Sequence, residues 1–202
     1  MNSSTTAGGV SVRAAEPVVS SFREGETVTR LVSWMQTSER RLFAWMNRGV
    51  LRRRADALFR AVTCLGAAPA TVLPALGFAL FAPPPLSAAG KAALIALAAS
   101  HLPVAVLKRL CRRRRPYLVW PDALACRNPL RDPSFPSGHT AAAFSVAVPF
   151  ALAVPPTVVA LLPIALAVGI SRIVLGLHYP SDVLVGALLG TVAGIAAFGL
   201  IG

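Results

Sequence analysis

Two stretches of this chain, 140–171 and 183–202, contain no charged residue. A soluble domain can bury one such stretch as a core helix. Here two further apolar runs lie upstream, and 202 residues offer too little polar surface to cover them all. Only 14% of the residues are charged, against about 25% in a typical soluble domain. The pattern excludes a disordered chain, a disulfide scaffold and an ordinary water-soluble enzyme. It predicts an all-α, polytopic membrane helical bundle.

The charges that remain are strongly biased, with 20 Lys+Arg against 8 Asp+Glu and a net charge of +12. A basic balance is the footprint of phosphate binding, whether on DNA, RNA or lipid head groups. The aromatic residues lie mostly inside apolar runs and are not interleaved with the basic ones as stacking platforms would be. No nucleic-acid partner is expected; the bilayer and an anionic lipid are.

Along the chain, residues 1–26 read as a flexible polar tail without the apolar core of a secretory signal. Residues 27–50 read as one amphipathic helix. Val28, Leu31, Val32, Met35, Leu42, Phe43, Met46 and Val50 recur at helical spacing, and Trp34 and Trp45 suit the head-group layer. An interfacial helix and a helix packed on the bundle both fit. From 27 to 202 the chain reads as a single membrane-embedded domain of about five spans.

The first span, Ala61–Ala82, has 22 residues and would cover about 33 Å, enough for a hydrocarbon core of about 30 Å. Pro83-Pro84-Pro85 stops it, and Ala92–Leu107 returns between Lys91 and Lys108. The uncharged block 140–171 would be about 48 Å long as one helix, too long for a single crossing. Pro155-Pro156 divides it, giving spans at about 137–154 and 156–174. The last span, 183–201, carries Gly186, Gly190 and Gly194 on one face, which permits close helix contact.

The chemistry gathers in two loops at span ends, 108–139 and 171–182. A hairpin at Pro155-Pro156 brings His139 and His178 to the same side of the membrane; a single crossing would separate them. Lys108, Arg115 and Arg172 supply cations, and guanidinium forks match phosphate oxygens. Ser137 and Gly138 stand where a helix N-terminus would offer free N–H groups to an anion, although Pro-Ser-Gly alone reads as a simple cap. Asp182 lies four residues after His178, within reach of one ring nitrogen, where it would fix the tautomer and favour the imidazolium. The other nitrogen is then a candidate nucleophile, with His139 as acid and base. Either histidine alone would more often be structural; the pair beside cations argues otherwise. His101, inside the second span, reads as structural or pore-facing. Beyond the N-terminal region and Asp56, only the scattered Asp122, Asp132 and Asp182 are acidic. A metal-independent reaction without cofactor is therefore expected. Cys64 reads as a small buried hydrophobe, while Cys111 and Cys126 share one polar loop and read as free thiols, able to pair only in an oxidising compartment.

Lys108-x6-Arg115-Pro116, Pro136-Ser137-Gly138-His139 and Ser171-Arg172-x5-His178-x3-Asp182 together resemble the tripartite signature of the type 2 phosphatidic-acid phosphatase superfamily, in residue type, order and spacing. The resemblance implies a helical bundle that hydrolyses through a phosphohistidine on His178, oriented by Asp182. It implies His139 as acid and base, and phosphate binding by Lys108, Arg115, Ser137, Gly138 and Arg172. It also implies a lipid phosphate or diphosphate as substrate, of phosphatidate, phosphatidylglycerol phosphate or polyprenyl type. Many members have six spans; here the 27–50 helix stands in place of the first. Arg40, Arg41, Arg48, Arg52, Arg53, Arg54 and Arg60 precede the first span, and loop 108–136 holds eight Lys and Arg. Two spans separate these clusters, so both lie on one side. The positive-inside rule then turns the active site of a multi-pass cell-membrane protein to the cytoplasm. Phosphotransfer to another acceptor remains an alternative on the same scaffold. So does a non-catalytic lipid-binding or transport role, although no nucleophile or cation is missing.

Overall fold

The computed structural model describes residues 20–124 and 130–201, with only the backbone for 20–29, 31–32 and 50–54. Among the described residues every regular element is helical. The helices are α1 (Ser20–Arg48), α2 (Val50–Cys64), α3 (Ala68–Phe81), α4 (Leu86–Cys111), the single turn α5 (Pro116–Val119), α6 (Gly138–Ala153), α7 (Val158–Val174) and α8 (Pro180–Ile201). Two compact units divide the chain, Met1–Thr37 and Ser38–Gly202. α1 begins at Ser20, inside the expected tail; the rest of that tail, residues 1–19, lies outside the described residues, as do the side chains of Val28, Leu31, Val32, Val50 and Arg52 to Arg54.

The expected five crossings resolve into three kinds of segment. Leu86–Val119, Pro155–Val174 and Pro180–Ile201 are long and apolar enough to cross a membrane. Gly138–Ala153 is a shorter apolar helix. The first expected span is not one helix: Ala55–Cys64 and Ala68–Phe81 meet at a bend of 47°. The break falls at Leu65-Gly66-Ala67, where Pro69 opens α3 without an N–H to extend α2. The Pro155-Pro156 break behaves as expected. α6 ends at Ala153, a 3-10 turn covers Pro155–Thr157, and α7 runs back. The Thr157 hydroxyl closes the turn, near the carbonyls of Phe150 at 3.1 Å and Val154 at 2.8 Å.

The bundle is packed with small residues and clothed in large ones. Ala75, Ala89, Ala92, Ala93, Ala96 and Ala141 are fully buried, whereas Phe81, Val159, Leu184 and Leu200 point outward. A soluble protein reverses this order; in lipid, helix association depends on close backbone approach, and large apolar groups face the tails. The chain is an integral membrane protein. The reading of Cys64 is corrected, since it is exposed at the end of α2 rather than buried.

α6 occupies the centre, packed on α4, α7 and α8. The α8 glycines make the tightest of these contacts. A Cβ on Gly186 would lie 2.5 Å from the Ser137 carbonyl oxygen, and one on Gly190 would lie 2.3 Å from that of Ala141. The starts of α6 and α8 are thereby pressed together. In the second unit, α1 presents Glu39, Phe43 and Asn47, four residues apart, on one face. Phe43 meets Trp120 edge-on with ring centroids 4.8 Å apart. Asn47 is fully buried and donates to the carbonyls of Leu124 and Val174. Residues 38–48 thus pack as a bundle helix, while Trp45 on the opposite face is exposed.

Candidate active site

Three helix ends build the site. Ser137 caps α6, its hydroxyl accepting from the Thr140 hydroxyl at 2.9 Å and more loosely from the Thr140 N–H at 3.5 Å. Its own N–H donates to the Asp182 carbonyl at 2.9 Å, which ties the first turn of α6 to that of α8. At Gly138 a Cβ would meet a single protein atom, Val104 Cγ1 at 3.8 Å. Protein packing therefore does not require glycine there, and its open side faces a groove. That groove, of about 720 Å³, passes Leu94, Leu97, His101, Val104, Lys108 and His139 between α3, α4 and α6. His101 is exposed and lines the groove, one ring nitrogen 2.8 Å from the Leu97 carbonyl.

The cations converge from α4, the segment after it, and α7. Arg115 is almost wholly buried, donating from Nη1 to the Leu177 carbonyl at 2.7 Å and lying 3.3 Å from His178 Nε2. Its other edge grips Asp132: Nε reaches the carbonyl oxygen and Nη2 a carboxylate oxygen, each at 2.8 Å. Lys108 pairs with the second oxygen of the same carboxylate. Burial would raise the Asp132 carboxyl, but the Lys108 hydrogen bond and the charges of Arg115 and Lys108 prevail and hold it at about 2. Arg172, also buried, donates to the Thr63 hydroxyl at 2.6 Å. Sequence reasoning set Asp132 aside as a scattered acid and passed over Thr63. Neither carries a local signal, since each is defined by a partner far along the chain.

His178 occupies the short connection between α7 and α8 and is 2% exposed. Its Nδ1 lies 3.5 Å from Asp182 Oδ2, an ion-pair distance too long for a good hydrogen bond. Asp182, fully buried, spends that same oxygen on the Tyr179 N–H at 2.9 Å and offers Oδ1 to Arg113 Nη1 at 2.8 Å. Asp182 does favour the imidazolium, as expected, but it does not prevail. Burial first, then the charges of Arg172 and Arg115, outweigh the carboxylate and bring His178 down to about 4. His139, on the first turn of α6, lies within electrostatic reach of Arg172, His178, Lys108 and Arg115. All eight residues expected from the sequence are therefore gathered at one end of the bundle.

Among the described residues, no three His, Cys, Asp or Glu side chains cluster as metal ligands. Cys111 is exposed with a free thiol; Cys126, its conceivable partner, lies outside the described residues.

Residues 89–202, which hold all three motifs, match the model of the PAP2 superfamily. The chain belongs to the PAP2 superfamily. It is 40% identical over 111 residues to the decaprenylphosphoryl-5-phosphoribose phosphatase of Mycobacterium tuberculosis, covering 52% of this chain and 55% of that one. The chain spans about half the length of the curated relatives it matches. Among solved PAP2-like structures, LpxE of Aquifex aeolicus superposes with a TM-score of 0.70 at 28% identity, over 79% of this chain and 93% of that one. A transmembrane PAP2-type phosphatidylglycerolphosphate phosphatase from Bacillus subtilis gives 0.67 at 25% identity, over 82% and 85%. Glu39 and Thr63 fall outside the segment that matches the PAP2 model.

Proposed function

We propose that this PAP2 protein is a membrane-embedded, metal-independent phosphatase that removes phosphate from a lipid phosphate or diphosphate through a phosphohistidine on His178. The observation that carries the reading is the placement of Arg115 Nη1 3.3 Å from His178 Nε2 while Nδ1 faces Asp182. One ring nitrogen is turned to a phosphate-binding cation and the other to a carboxylate. The Nε2 lone pair forms an N–P bond as the P–O bond to the lipid breaks. His139 gives the leaving oxygen its proton, then takes one from water, whose oxygen displaces phosphate from His178. Lys108, Arg115 and Arg172 hold the equatorial oxygens, and the N–H groups after Ser137 and Gly138 complete the cradle.

The groove beside Lys108 and His139 supports a long apolar tail lying along α4. The names of the relatives support a polyprenyl-linked or glycerolipid phosphate as the substrate class. The basic clusters around the site support a cytoplasm-facing orientation in the cell membrane.

The test is phosphate release from a panel of lipid phosphates in EDTA, combined with an alkaline, denaturing quench to capture labelled protein. Release that persists in EDTA, with base-stable and acid-labile label on His178, is expected. Abolition by EDTA, or label on another residue, overturns the reading. The nucleophile must be neutral, and with His178 held at about 4 it stays neutral well below the ordinary value of about 6.5. The acid limb of kcat/KM, corrected for substrate ionisation, is therefore expected near pH 4. A limb centred at the ordinary histidine value would contradict that.

A further inference from the structure

Asp182 does not face His178 alone. Behind it runs a chain of alternating charge. Arg113 Nη1 donates to Asp182 Oδ1 at 2.8 Å and to the Ser181 hydroxyl at 2.7 Å, while Nη2 donates to Glu39 Oε2 at 2.6 Å. The guanidinium carbon lies 3.7 Å from the centroid of the Tyr179 ring, which fixes its plane. The second oxygen of Glu39 accepts the Ser181 N–H at 3.1 Å and pairs with the Ser181 hydroxyl. That N–H belongs to the first turn of α8, where backbone donors lack helical partners and a carboxylate is favoured. The Glu39 side chain is only 15% exposed and that of Asp182 not at all.

From this arrangement we infer that Glu39 and Arg113 are positioning residues, which lock the Asp182 carboxylate behind His178 and set how much of its charge the imidazole feels. The inference rests on the reading of His178 as the nucleophile. Arg113 alone would pull Asp182 toward itself and weaken its field at His178. Glu39 shares the guanidinium, so the trio keeps a net charge of one negative unit beside a ring that becomes cationic as the N–P bond forms. The other charged or titratable groups facing His178 are Arg115 from the segment after α4, Arg172 from α7 and His139 from α6. None of these is touched by changing Glu39. The clamp comes from α1, outside the segment matched by the family model.

The charge argument predicts opposite signs for two substitutions, which a merely structural role does not. Glu39→Gln removes a negative charge while keeping shape, so the His178 titration midpoint moves down. Arg113→Gln removes a positive charge, so the midpoint moves up. Each change is expected to be about one pH unit, for charges several ångström away in a partly buried site. The double variant returns it near the starting value. The measurement is 13C NMR of histidine-labelled full-length protein in detergent. The chain has three histidines, and the His178 signal is the one lost in His178→Ala. In parallel, Glu39→Gln is expected to lower kcat about tenfold with KM changed less than twofold, because substrate contacts remain intact.

Midpoints that stay put, or move in the same direction in both variants, overturn the clamp. Should Arg113→Gln fail to fold, Glu39→Gln decides alone: a midpoint that does not fall is refutation. Failure of the nucleophile reading is seen separately, as activity retained by His178→Ala.

Discussion

His178→Ala is expected to cut phosphate release by about four orders of magnitude or more, as loss of a covalent nucleophile does elsewhere. The loss should fall on kcat. Lys108, Arg172 and the α6 N-terminus do not depend on the imidazole, so KM should change little. Arg115 keeps its hydrogen bonds to the Leu177 carbonyl and to Asp132, so the cradle should survive the deletion. Binding of a non-hydrolysable lipid phosphonate then separates a dead nucleophile from a collapsed site. Undiminished binding with lost turnover is the expected pair; a variant that still turns over would remove His178 from the mechanism.

Gly190→Val is expected to cost stability. Its Cβ would stand 2.3 Å from the Ala141 carbonyl oxygen and 2.9 Å from Phe144 Cβ, both on α6. The first of these is backbone, so no rotamer change relieves it. Overpacking of this kind costs roughly 1–3 kcal/mol when side chains can yield, and here the helices must part. Because the same interface holds the Ser137 N–H on the Asp182 carbonyl, activity should fall along with thermal stability in detergent. Gly199 is the control. A Cβ there meets nothing within 4 Å, so Gly199→Ala should be neutral or stabilise by up to about 1 kcal/mol through helix propensity. If both substitutions behave alike, the α6–α8 contact does not govern the site.

The legible and hidden parts of the site differ for a physical reason. Lys108, His139, Arg172, His178 and Asp182 stand at the edges of long uncharged runs, where a polar group is costly and conspicuous. Arg113 could not be found that way, because it lies within four consecutive arginines, 112–115. What sorts these four is the end of α4. Arg112 takes a left-handed conformation with φ of 40°, and the chain turns there. Arg113 then reaches Asp182 and Arg115 reaches His178, while Arg112 and Arg114 stay exposed. Glu39 and Asn47 were hidden by the opposite circumstance, a polar and basic helix in which one more polar residue carries no signal. The α1 apolar stripe read from spacing included Phe43 but not the polar members of the buried face, because a partly polar helix can dock through an ion pair and an amide as well as through Phe43.

The sequence by itself determined the all-helical membrane class, the hairpin at Pro155-Pro156 and the eight residues that converge at one end of the bundle. Uncharged length, proline and motif spacing are local properties that a chain carries before it folds. Only the tertiary structure decided the bend between α2 and α3, the role of Asp132 between Lys108 and Arg115, the neutral His178 and the Glu39–Arg113 link behind Asp182. Each depends on which charges end up within a few ångström inside a poorly solvated bundle, where Coulomb interactions and desolvation are both large. Distances along the chain do not contain that information.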